Sequence, residues 1–124
     1  MTHAMAMNRS TLLAFLIASV AGFAIWAMSP WLTGYNEPWD APGVYYYVAL
    51  LLAGAVSGFI TAKPPHRQVW AQYAGGVFGQ LLYGLVFLPM GPLAAVGLIF
   101  LGLWALLFLA GAYLGSLLRS YVPK

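Results

Sequence analysis

Hydrophobic residues in this chain fall in four long unbroken runs, not in alternation. The runs cover residues 11–29, 44–62, 69–88 and 93–118. Crossing the hydrocarbon core of a bilayer takes roughly 20 helical residues at about 1.5 Å rise each. The first three runs match that length. The fourth is longer, so it is expected to tilt or to project into the cytoplasmic interface. A closed β-barrel, the other spanning structure, needs short strands of alternating polarity, and these runs do not alternate. The pattern predicts an all-α fold, a polytopic membrane protein built as a four-transmembrane-helix bundle. Residues 1–124 form a single membrane domain.

The segments between the runs read as breaks. Pro30 to Gly43 holds Pro30, Pro38 and Pro42 together with both acidic residues. Lys63-Pro64-Pro65-His66-Arg67 stops a helix with two adjacent prolines. Pro89-Met90-Gly91-Pro92 is a tight turn. Such short connections make sequential helices antiparallel neighbours. Arg9, the first run and Ala27-Met28-Ser29 have the order of a signal peptide. The run is longer than the usual signal core and Pro30 follows directly, so it is read as a retained first span.

Composition supports lipid as the solvent. Of the 124 residues 63% are hydrophobic and only 6% charged, against about 25% charged in soluble domains. So few charges cannot cover a small domain with a polar surface. The net charge of +3 is spread over three places and makes no patch, which argues against nucleic acid as a partner. Its distribution gives a topology instead. Arg9, Lys63, Arg67, Arg119 and Lys124 all fall on one side of a four-span chain. By the positive-inside rule that side is the cytoplasm, with both termini there, as in a bacterial inner membrane. Glu37 and Asp40 fall on the other side. With no cysteine in the chain, disulfides and thiolate chemistry are excluded.

Helices in lipid associate through close packing at small residues. Each run offers a stripe at a spacing of four: Ala14, Ala18 and Gly22; Gly54 and Gly58; Gly75 and Gly79; Gly111 and Gly115. Residues four apart share a helix face. The stripes are expected to hold the bundle together, with one or two of them as the alternative faces for another chain.

Candidate chemistry is sparse. No Asp, Glu, Lys, Arg or His lies in the middle of a run. Proton-coupled transporters, pumps and voltage sensors need such groups in the membrane. The third run carries Gln72, Gly76, Gln80 and Tyr83 on one face. An amide at mid-depth cannot be satisfied by lipid, so Gln80 is expected to bond across helices, to Ser57 or a backbone carbonyl. The other reading makes Gln72, Gln80 and Tyr83 the polar lining of a pore or pocket. A second cluster lies outside, where Trp26, Trp31, Tyr35, Trp39, Tyr45, Tyr46 and Tyr47 crowd around the loop of Glu37, Trp39 and Asp40. An interfacial aromatic belt explains it. The sharper readings are a site for a cationic group and a docking loop for a larger subunit anchored by Trp39. No nucleophile with a nearby base accompanies the carboxylates. His3, Met5 and Met7 would suit Cu(I) but read as a methionine-rich start, so neither a metal nor a cofactor is expected.

These observations favour a non-catalytic accessory or structural subunit that packs with other membrane chains or with itself. The alternative is a small homo-oligomeric channel or transporter for an uncharged or weakly selected solute. A membrane enzyme ranks last for want of an acid–base set.

Overall fold

The computed structural model describes residues 9–35, 38, 43–61, 69–87 and 94–122. Among them all regular structure is helical: α1 (Arg9–Thr33), α2 (Tyr45–Thr61), α3 (Val69–Phe87), α4 (Ala94–Trp104) and α5 (Leu106–Ser120). The last two continue one rod through Ala105. The Ala105 amide donates to the Leu101 carbonyl (2.9 Å) and Leu109 donates to the Ala105 carbonyl (3.0 Å). Ala105 itself has φ −67° and ψ −9°, a local departure that hydrophobicity did not forecast. Arg9–Thr33 and Val96–Ser120, 25 residues each, are long and apolar enough to cross a membrane. The other two helices are shorter, with 17 residues in α2 and 19 in α3. The polarity of α3 comes from Gln72 and Gln80, both of which it buries.

The first helix runs past the expected stop at Pro30. Proline removes one ladder donor, the one that would reach the Trp26 carbonyl, and nearby hydroxyls bond other carbonyls of this turn. Thr33 Oγ1 donates to the Ser29 carbonyl (2.8 Å) and Ser29 Oγ to the Tyr35 carbonyl (2.6 Å). The helix closes when the Gly34 amide reaches the Pro30 carbonyl (3.1 Å), with Gly34 at φ +81°. Left-handed glycine is a common helix stop, and it lies four residues beyond the proline.

Sequential helices touch and run antiparallel, as the short connections imply, yet the closest packing joins alternate helices. The Phe15 and Ser19 carbonyls of α1 lie against Gly75 and Gly79 of α3, so numbering rises together and the pair is parallel. The same holds for α2 and α5. Leu51 and Ala55 present carbonyls to Gly111 and Gly115, while Phe108 and Ala112 present theirs to Gly54 and Gly58. A methyl added at Gly22 would lie 2.5 Å from the Gly76 carbonyl oxygen. Only glycine permits such an approach of two backbones. All four small-residue stripes therefore face partners within the chain. Connection length decides which helices are adjacent, but backbone access decides which pack tightest.

Phe108 couples the two pairs. Its fully buried ring lies over Gly76 of α3, where an added methyl would meet the ring at 3.1 Å. Polar side chains share this interior: Ser29, Ser57, Gln72, Gln80 and Ser116 are all buried. The surface is apolar as well, with Val20, Leu52, Ile99 and Val86 each at least 60% exposed.

Candidate functional site

The polar face of α3 converges on Gln80. Gly75, Gly76 and Gly79 let α1 and α5 close around α3, and this carries Gln80 to the junction of three helices with 1% of its surface exposed. Its Oε1 accepts from the Trp26 indole Nε1 of α1 (2.7 Å) and from the Tyr46 hydroxyl of α2 (2.6 Å). Its Nε2 donates to the Gly76 carbonyl one turn back (3.1 Å). An amide oxygen has two lone pairs, and both are used. The expected partner, Ser57, belongs instead to Gln72, whose Nε2 donates to the Ser57 carbonyl (3.3 Å). The two glutamines thus tie α3 to α2 at two levels, with Trp26 adding α1 at the upper one.

Tyr83 packs through its ring, edge-on to Phe23 (5.2 Å between centroids) and tilted against Phe87 (4.9 Å) and Trp26 (6.4 Å). Trp26 and Tyr46 differ from the expectation of an interfacial belt: both are core residues, at 3% and 2% exposure. Their rings meet edge to face, 6.4 Å apart. The signal was present: Trp26 continues the Ala14, Ala18, Gly22 stripe at the same spacing, and Tyr46 lies on the face of Leu50, Gly54 and Gly58. Tyr45 bonds the Ile25 carbonyl through its hydroxyl (2.6 Å) and Tyr47 packs on Trp104 (4.9 Å). Trp31 is 90% exposed.

Glu37, Trp39 and Asp40 lie outside the described residues, as do His3, Met5, Met7, residues 63–67 and the 89–92 turn. Pro38, between the first two of them, is fully buried. The start of this loop is pinned by the Ser29 hydroxyl on the Tyr35 carbonyl, and Gly43 at φ +95° leads into α2. Among the described residues no cluster of His, Cys, Asp or Glu could hold a metal ion.

An open space lies along the side of the bundle. A groove of about 490 Å³ runs between α1 and α2, floored by Ala21, Ala24, Ala49 and Ala53 and edged by Val20 and Leu52. It exists because the glycine stripes draw α1 toward α3 and α2 toward α5, leaving the α1–α2 contact comparatively loose. At about 1.5 Å per residue, its α1 wall from Ile17 to Leu32 is about 22 Å long.

No family model matches the chain, and comparison with curated proteins and with solved structures finds no match. Fold and function therefore rest on the physical reading of this chain.

Proposed function

We propose that this chain crosses a bacterial inner membrane four times, with both termini in the cytoplasm, and serves as a non-catalytic subunit. One observation carries the membrane reading. The surface of the bundle is as apolar as its interior: valine, leucine, isoleucine and phenylalanine lie exposed along the described helices, while glutamines and serines are among the buried residues. Exposing that surface to water would cost roughly 25 cal/mol per Å², whereas lipid accepts it freely. Interfacial residues support the same placement. Trp31 and Tyr35 lie exposed at one end, while Arg9, Trp70 and Tyr121 lie exposed at the other.

The subunit reading rests on what the chain does with its polar groups. Gln80 is spent on internal hydrogen bonds, and the described spans contain no acid–base pair. The small-residue stripes are spent on internal packing. The α1–α2 groove offers another membrane chain an alanine floor that admits an apolar helix at close range, the chemistry by which membrane helices associate.

Two experiments test these statements. The chain lacks cysteine, so single cysteines at Ser10, Tyr35 and Tyr121 report topology cleanly. An impermeant maleimide added to intact cells should label only the one at Tyr35; labelling at Ser10 or Tyr121 would overturn the orientation. Native mass spectrometry after gentle extraction should find the chain with another membrane polypeptide, and Ala24→Leu with Ala53→Leu should release it. A single partner-free species from native membranes, or a complex indifferent to groove filling, would overturn the subunit reading.

A further inference from the structure

The last helical rod changes character at Ala105. Below it, α5 is clamped: Phe108 is fully buried, and Gly111 and Gly115 lie against the α2 backbone. Above it, α4 is largely bare, with Val96, Leu98, Ile99, Phe100 and Leu103 between 46% and 64% exposed and Leu101 turned inward at 4%. Among the described residues, the ties of α4 to the bundle beyond Leu101 are few. The Tyr73 hydroxyl of α3 donates to the Gly102 carbonyl (2.7 Å). The Trp104 ring lies tilted on Tyr47 at 4.9 Å and edge-on to Tyr46 at 6.4 Å.

The Tyr73 bond explains why the departure falls where it does. A side chain that bonds a helix carbonyl competes with the ladder, and helices bend at such insertions. Gly102 is three residues before Ala105 and offers no side chain to keep the hydroxyl away. A methyl there would meet the Tyr73 oxygen at 3.4 Å, and no nearer atom of the bundle. Segments with few buried contacts are those that open independently.

We propose that α4 is a gate hinged at Ala105 and latched by the Tyr73 hydroxyl on the Gly102 carbonyl. Opening swings α4 away from α3, releases Leu101, and loosens Trp104 from the two tyrosines, one of which holds Gln80. α5 stays clamped to α2 throughout. The proposal is independent of any partner in the α1–α2 groove, which lies between other helices.

Paired spin labels on introduced cysteines test it in reconstituted bilayers. Leu52 with Ile99 reads the gate, and Leu52 with Leu114 reads the clamped half; all three positions are exposed. The Leu52–Leu114 distances should form one narrow distribution. The Leu52–Ile99 distances should show a second population, which Tyr73→Phe raises about threefold, the factor expected for one lost interhelical hydrogen bond in lipid. A single narrow Leu52–Ile99 distribution in both proteins would overturn the gate. So would equal broadening of both label pairs in Tyr73→Phe, because that would mean general loosening instead of a hinge.

Discussion

Replacing Gln80 by leucine removes the acceptor on which Trp26 and Tyr46 both depend, and leaves a side chain of similar bulk. The two donors, buried at 3% and 2% exposure, then lose the bonds of 2.7 and 2.6 Å that they made to it. A buried donor left without a partner costs about 1–3 kcal/mol. In membranes the penalty tends to the lower end, because donors in the unfolded state also find partners; measured interhelical bonds average about 0.6 and reach about 1.7 kcal/mol. Two such bonds put the loss at about 1–3 kcal/mol. The bond from Nε2 to Gly76 adds little, since it stays within one helix. Reversible unfolding in mixed detergent micelles, followed by circular dichroism, measures the change. Tyr46→Phe makes the argument sharper. In the natural protein it should cost about 1 kcal/mol, and in the Gln80→Leu background clearly less, because the bond from Tyr46 to Gln80 is already absent there. A Gln80→Leu cost below about 0.5 kcal/mol, or additive effects of the two substitutions, would refute the view that this cluster binds three helices together.

Other expectations follow from the same geometry. Gly58→Ala and Gly79→Ala place a methyl into the Ala112 and Ser19 backbones respectively, so each should destabilise by about 1–3 kcal/mol as the pair is forced apart; the same unfolding assay reads both. Gly34→Ala meets nothing within 4 Å but must hold φ +81°, so it should cost about 1 kcal/mol of backbone strain alone. Arg119 donates through Nη1 to the Phe59 carbonyl (2.5 Å) and lies 5.5 Å from the Phe59 ring centre. It thereby satisfies the end of α2 where the helix dipole favours a cation. Arg119→Gln should speed amide hydrogen exchange in the last turn of α2 while leaving the unfolding midpoint nearly unchanged.

The helices and most of their inward faces are legible in the amino-acid sequence. Long apolar runs have no other stable form in lipid, and residues four apart share a side of a helix whatever its neighbours. The stripes Ala14–Ala18–Gly22 and Gly75–Gly79 were visible for that reason, as was the need of Gln80 for a partner. Local chemistry misled at Pro30, since one lost ladder bond does not end the helix, which closes at Gly34 four residues later. Residue type misled at Trp26 and Tyr46, since an aromatic ring with a polar tip suits both an interface and a buried acceptor. Which stripe meets which was beyond the sequence, because glycine allows close approach to any backbone and names none. Only the tertiary structure pairs α1 with α3 and α2 with α5, leaves a groove between the two pairs, and brings Gln80 within reach of both Trp26 and Tyr46. Those choices depend on distances across the bundle, which no spacing along one helix contains.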